Sequence, residues 1–417
     1  MKLKYNVEDR LPAGQLVLYS IQWFVLAIAV VVTSVFVAEG SPSDRLFFAQ
    51  KLFAVMGITG LVQIIWGHRL PLVAGPAAVL LVGVLSAKGA DSAAIYSSIA
   101  IGGALTVLMT LGGMMRYVQR LFTPRIIVVI LMLIAFTLTP TISNKLIFLP
   151  YASHDQHLFG LIFTIVGVVA MVLMNRKLQG VAKSLVIPIA LVVGSIAYYA
   201  IFPMPEMCSS AASADGLFID KFSLDGSLII AFVICYIALI INDIGSIESL
   251  GAMLQTDNME RRMRRGVRLT GVMNIVAGSM GVLGPVNYSM SPGIIASTGC
   301  ASRYALMPAT ILLALCALFP ELVWVLTSIP NEVIGVILLF LMGTQLAASF
   351  EMLQSTKSAE TFADALTMGL PLMVAMLFQM MPAGVAPEVL QPLMGNGFAV
   401  GVITVIVMEH IINRAKR

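Results

Sequence analysis

The chain has 417 residues, 59% of them hydrophobic and 11% charged, with a formal net charge of +4 and a mean hydropathy of +0.95. Soluble domains carry about 25% charged residues, so a soluble fold is excluded. Apolar runs of about 20 residues, the length of a membrane-spanning helix, recur from end to end. The small positive balance comes from arginines between those runs, so the partner surface is a lipid bilayer and not nucleic acid. Cys208, Cys235, Cys300 and Cys316 have neither metal-ligand nor disulfide-framework spacing. No HExxH spacing and no GxxxxGK[ST] phosphate loop occurs. An enzyme, a bound metal, a cofactor and an ATP-driven pump are therefore not expected.

The opening stretch MKLKYNVEDRLPAGQ lacks a cleavage-site pattern, so the first apolar run is expected to be retained. Seven runs follow in the first half, near 14–37, 47–67, 71–87, 92–114, 124–141, 157–174 and 183–202. Gln22 and Trp23 lie inside the first; the amide has two readings, a ligand contact or a bond to a neighbouring carbonyl. The third run is short and broken, LPLVAGPAAVLL, with Ala74 and Gly75 at the break. Seven more runs lie near 227–251, 266–283, 285–300, 303–320, 330–350, 362–381 and 394–412. Basic residues, above all ERRMRRGVR at 260–268, fall on one side of these runs, which the positive-inside rule makes cytoplasmic. Both termini are expected there too.

The eighth run contains IALIINDIGSIESLGAML, residues 237–254. Ionisable groups at membrane depth cost a few kcal/mol and are functional candidates by default. Asn242, Gly245, Ser246 and Ser249 share one helix face at i, i+3, i+4 and i+7. Asp243 lies on a neighbouring face and is the deeper functional candidate, a structural role being the other reading. Glu248, about two turns from the basic loop, is either a second functional acid or an interfacial one paired with Arg261 or Arg262.

The tenth run, GVLGPVNYSMSPGIIASTG at 281–299, is broken like the third. Irregular backbone at membrane depth is tolerated only where protein buries it or it lines a cavity. Asn287, Tyr288, Ser289, Met290 and Ser291 fill this break. The run after Gly293 reads as helical, with its positive dipole end facing any bound solute. Matching short, Gly/Pro-interrupted spans in two halves point to a transporter site. Seven runs per half is an odd number, so the second half enters from the opposite side: an inverted repeat.

These residues resemble one family over nearly the whole length, the nucleobase–ascorbate transporters or nucleobase:cation symporters. SIQWF (20–24) is similar to the family's Leu-Gln-His segment, and GHRLPLVAGPAAVLL (67–81) to its third span. NDIGSIES (242–249) is similar to the Glu-x-x-Gly-Asp/His element, and GVRLTGVMNIVAGSMG (266–281) to the ninth span. SMSPGIIASTGCASR (289–303) matches the tenth-span signature at Gly293, Thr298, Gly299, Ala301, Ser302 and Arg303.

The resemblance implies an all-α polytopic fold of about fourteen spans in two inverted seven-span repeats, with short strands in spans 3 and 10. It implies a core domain (1–115 and 227–328) moving against a gate domain (116–226 and 329–417). It further implies secondary active, proton-coupled uptake of a nucleobase such as uracil or xanthine, in a bacterial inner membrane. A homodimer through the gate domain is expected as well. By register, Asn242 stands where the family has its span-8 glutamate, and Ser246 at the following Asp/His position. Met290 and Ser291 stand where it has Gln/Glu and Asn. The expected contacts are Asn242, Ser246, Ala74, Gly75, Asn287, Tyr288, Ser289, Met290, Ser291, Gly293, Gln22 and Trp23, with Asp243 and Glu248 for the cation. The alternative is an anion transporter of sulfate-permease architecture.

Overall fold

The computed structural model describes residues 3–412 apart from 39, 88–89, 113–120, 149–153, 179–181, 183–184, 205–215, 289–290, 292–294, 296–297, 383–384 and 388–389. In the first half α1 is Ala13–Val32, α2 Pro42–Ile65, β1 Ala74–Pro76, α3 Ala78–Ser86, α4 Ser92–Leu111, α5 Pro124–Ile142, α6 His154–Lys177 and α7 Val186–Tyr199. In the second, α8 is Gly226–Leu254, α9 Met259–Ser279, β2 Pro285–Asn287, α10 Arg303–Cys316, α11 Pro320–Thr327, α12 Asn331–Thr356, α13 Phe362–Gln379 and α14 Gly397–Val407. Each of the fourteen apolar runs coincides with one of these elements, the tenth being seen at 285–288, 291, 295 and 298–300.

Local chemistry sets the helix starts. Ser41 and Asp44 form a reciprocal capping box with Pro42 at the first position, so α2 begins five residues before its apolar run. Asp225 caps α8 through Oδ1, accepting from the N–H of Ser227 and Leu228 and from the Ser227 hydroxyl. Thr361 and Asp364 repeat the capping box at α13. The basic stretch at 260–268 is helical and opens α9. One element falls outside the sequence reading: Pro320 opens α11, which is bent 102° from α10 and packs Val323 against Leu46 and Ala49 of α2. Among the described residues eight helices are long and apolar enough to cross a bilayer, and α10 with α11 make a ninth candidate.

Helices α2, α4, α9 and α10 pack backbone to backbone. A Cβ on Gly278 of α9 would lie 2.5 Å from the Ala100 nitrogen of α4, and one on Gly57 of α2 would lie 2.4 Å from the Ala314 nitrogen of α10. Small residues let membrane helices approach this closely where no hydrophobic drive exists between them. The inverted repeat is visible in these partnerships. It exchanges spans 2 and 9 and spans 4 and 11, so the α4–α9 pair maps onto the α10–α2 pair; both are extensive contacts. Likewise α1 against α10 maps onto α8 against α4, and α13–α14 onto α6–α7. Helices α1–α4 and α8–α10 pack chiefly on one another, and α5–α7 pack with α12–α14. Contacts between the two groups run through α1–α7, α3–α5, α3–α14 and α8–α14.

Candidate functional site

The two broken spans meet. β1 and β2 pair antiparallel, with Ala74 opposite Asn287, Gly75 opposite Val286 and Pro76 opposite Pro285. The two prolines face each other where the ladder ends, as their missing N–H groups require. The pairing extends at both ends, from Ala77 N–H to the Gly284 carbonyl (2.9 Å) and from Tyr288 N–H to the Val73 carbonyl (2.9 Å). The Tyr288 hydroxyl donates to the Pro76 carbonyl at 2.7 Å, and Val73 N–H donates to Ser291 Oγ at 3.0 Å. Gly75 is required by room: a Cβ there would lie 2.5 Å from Val30 Cγ1 and 2.8 Å from the Tyr288 ring.

Asp243 anchors β2. It is completely buried on α8, and its Oδ1 accepts from both the main-chain N–H (3.0 Å) and the side-chain amide (2.7 Å) of Asn287. Its Oδ2 accepts from the Thr270 hydroxyl of α9 at 2.8 Å. The Thr270 oxygen in turn accepts from Gln63 Nε2 of α2 (3.0 Å), whose other hydrogen goes to the Gly266 carbonyl (3.0 Å). The Asn287 amide is oriented from behind. Leu70 N–H donates to His68 Nδ1 at 2.9 Å, so the neutral imidazole carries its hydrogen on Nε2 and donates it to Asn287 Oδ1 at 3.1 Å. That leaves Asn287 Nδ2 facing the carboxylate. Among the described residues three donors meet Asp243, the environment of an ionised carboxylate.

A second buried amide holds the same strand. Asn274 Nδ2 donates to the carbonyls of Thr270 (2.7 Å) and Pro285 (2.9 Å), and its Oδ1 accepts from the Tyr236 hydroxyl at 2.7 Å. Gly284 leaves the space for it.

The face of α8 next to Asp243 is open. Gly245 and Ser249 are exposed and Asn242 is half-buried; a Cβ on Gly245 would meet nothing within 4 Å. Ser246 does not share that opening: it is 1% exposed, and its hydroxyl is returned to the Asn242 carbonyl at 2.9 Å. Glu248 is exposed and forms no ion pair among the described residues. Arg262 instead donates to the carbonyls of His68, Arg69 and Asp257. Ala74, Gly75, Asn287 and Ser291 are buried at the strand pair, and Tyr288 is half-buried there. Gln22 is half-buried on α1, whereas Trp23 is 2% exposed. Ser289, Met290 and Gly293 lie outside the described residues.

Four residues of this site were not singled out from the sequence: Gln63, and His68, Thr270 and Asn274, which lie inside segments read only for their family resemblance. His68 lies two residues before the Leu70-Pro71 break of span 3, the one local hint of its position.

Comparison with known proteins agrees with this architecture. A xanthine permease of Escherichia coli is 25% identical, over 98% of this chain and 94% of its own length. A Clostridium perfringens protein carrying the provisional name purine permease is 24% identical, over 100% and 94%. In fold, the transmembrane domain of a cyanobacterial bicarbonate transporter, BicA, superposes with a TM-score of 0.62 at 14% identity, covering 97% of this chain and 98% of that one. The murine anion transporter Slc26a9, in its inward-facing state, gives 0.61 at 12% identity, covering 99% and 70%. These two likenesses establish the fold alone. The xanthine/uracil-type profile described as Permease family matches residues 14–384, and the chain, an integral membrane transporter and not an enzyme, belongs to that family.

Proposed function

We propose that the chain is a secondary active transporter that takes up a nucleobase by alternating access, coupled to a proton. The observation that carries this reading is the paired break at β1 and β2, anchored by a buried carboxylate beside the open face of α8. A planar, multiply hydrogen-bonding solute suits the half-buried amide of Asn242 and the polar groups of the tenth-span break, with Gly245 leaving it room. The relatives named as xanthine and purine permeases support the substrate class. No Lys or Arg stands on α3, α8, β1 or β2, and Asp243 adds a negative charge, which favours a neutral base over an anion.

In this reading Asn242, Ala74, Gly75, Ser289, Met290 and Ser291 contact the base, Gln22 and Gly293 border it, and Asp243 carries the coupling proton. Ser246 acts through the Asn242 backbone, and Asn287 through Asp243. The group α1–α4 with α8–α10 moves against α5–α7 with α12–α14, the division their packing supports. Cytoplasmic termini, a bacterial inner membrane and a dimer through the gate domain belong to the same proposal.

Uptake of labelled xanthine, uracil, hypoxanthine, adenine and guanine into proteoliposomes, at two pH values and against bicarbonate and sulfate, tests it. Accumulation of one base driven by an inward proton gradient is expected. Flux of the oxyanions without any base would refute it in favour of an anion transporter.

A further inference from the structure

Threonines inside these helices normally turn their hydroxyl back onto their own helix. Thr59 donates to the Val55 carbonyl (2.6 Å), Thr106 to Gly102 (2.9 Å) and Thr137 to Leu133 (2.7 Å), each four residues earlier. Thr270 departs from this. The carbonyl four residues earlier, Gly266, is occupied by Gln63 Nε2, and the Thr270 hydroxyl points to Asp243 Oδ2.

The partners of Asp243 differ in kind. Oδ1 is met by a main-chain N–H and an amide N–H, which can only donate. Oδ2 is met by a hydroxyl, which both donates and accepts. A proton arriving on Oδ1 would face two donors and lose both bonds. On Oδ2 it has a neighbour able to reverse its role.

From this geometry we infer that Thr270 is a hydroxyl rotor that lets Asp243 gain and lose a proton while Oδ2 keeps its hydrogen bond. The inference rests on the reading of Asp243 as the coupling group and deepens it. With Asp243 ionised, Thr270 donates to Oδ2. When a proton adds to Oδ2, the new O–H donates to Thr270 Oγ1. The threonine hydrogen then turns to the Gly266 carbonyl of its own helix, an acceptor it shares with the Gln63 amide and with its own main-chain N–H. One proton is added, no other proton leaves its heavy atom, and the oxygen stays where Gln63 holds it. Thr270 and Gln63 are thus positioning residues for the coupling step, and Asn287 fixes the carboxylate so that only Oδ2 titrates.

The other charged groups around Asp243 do not replace this path. His68 reaches it only through Asn287, with its Nε2 hydrogen already given to the amide oxygen. Glu248 on the same helix faces outward. Among α9 residues, Glu260 and the arginines at 261, 262, 264, 265 and 268 make no hydrogen bond to Asp243. Helices α3, α4 and α14 bring no Asp, Glu, Lys, Arg or His, and Tyr96 of α4 is the one titratable side chain on them.

The test reads Asp243 directly. Infrared difference spectra of the full chain, purified in detergent and titrated with acid, should show a protonated-carboxyl band that is absent in Asp243→Asn. In Thr270→Val the ionised carboxylate loses its Oδ2 donor. The protonated form loses its weaker bond to Thr270 as well, so the band's midpoint should rise by about one pH unit, the difference between a hydrogen bond to a charged group and one to a neutral group. Thr270→Ser keeps the rotor and should restore the wild-type midpoint. Should Thr270→Val fail to fold, Gln63→Leu reads the same point: the hydroxyl loses the donor that polarises it, and a smaller rise is expected. An unchanged midpoint in the folded variant, or no titrating Asp243 band at all, overturns the rotor. A Thr270-dependent band combined with pH-independent uptake would instead refute the coupling role of Asp243 while leaving the rotor intact.

Discussion

Adding one methyl group at Gly284 should unlatch β2. A Cβ there would sit 1.7 Å from Asn274 Oδ1, 2.6 Å from its Cγ and 3.0 Å from Leu80 Cδ1. The first two distances are impossible, so the Asn274 side chain must move, and it is completely buried. Moving it threatens three hydrogen bonds at once, to Tyr236, Thr270 and Pro285. Each buried group left without a partner costs about 1–3 kcal/mol. The total for Gly284→Ala is therefore about 3–5 kcal/mol, beyond the roughly 1–3 kcal/mol of ordinary overpacking. The assay is a double-mutant cycle with Asn274→Ala, read as the apparent melting midpoint of detergent-purified protein. Alone, Gly284→Ala should lower that midpoint by about 5–10 °C, at a few degrees per kcal/mol. In the Asn274→Ala background the methyl occupies vacated space and should add almost nothing. Equal losses in the two backgrounds would show that the clash and the amide latch are not the same event.

Gly245→Leu separates binding from folding. Open space beside Gly245 and the better helix propensity of leucine, about 0.8–1 kcal/mol, should leave the melting midpoint unchanged or raised. Base uptake should fall at least tenfold; full uptake would mean that this face admits no solute. At the end of span 10, Arg303 binds half-exposed Glu8 at 2.7 Å and the Ile64 carbonyl of α2 at 2.7 Å, tying the strand-like segment around Tyr5 to residues 299–303. Removing the rim acid in Glu8→Ala should cost under about 1 kcal/mol. Arg303→Ala also strips the carbonyl and should cost about 2–3 kcal/mol, an ordering that melting curves of the two variants check. Hydrogen bonds from Ser227 and Leu228 hold the Asp225 carboxyl below its ordinary value of 3.8. The cap's contribution is thus complete above about pH 4 and is lost as pH falls through the lowered value. Asp225→Ala should lower the melting midpoint at pH 7 by an amount equivalent to about 1 kcal/mol, with the gap to wild type closing toward pH 3.

Much of the architecture was legible in the sequence because the bilayer imposes it. Run length and apolarity mark the spans, and odd-numbered halves with matching breaks at 71–87 and 285–300 mark the inverted repeat. Gly75, Pro76, Gly284 and Pro285 signal that backbone there leaves the helix, which is a local property. Asp243 was legible as an anomaly for the same reason: a carboxylate seventeen residues into an apolar helix needs partners. Who those partners are was not legible. Thr270, Asn287 and His68 lie 27, 44 and 175 residues from Asp243 in sequence, and hydroxyl and amide side chains at such positions look alike until the helices pack.

Helix periodicity also placed Ser246 with Asn242 on one face. Packing divides that face, leaving Gly245 exposed and Asn242 half-buried and covering Ser246. The pairing of Glu248 with Arg261 or Arg262 was a matter of charge and spacing alone. In the fold, Arg262 meets three main-chain carbonyls, two from the α2–β1 connection that runs beside it and one from Asp257 just before its own helix. The sequence by itself determined the spans, the repeat and the two breaks, since each follows from the cost of bare backbone and charge in lipid. Tertiary structure alone decided the hydrogen-bond chain from Gln63 and Thr270 to Asp243, because such a chain exists only where three distant segments meet at bonding distance.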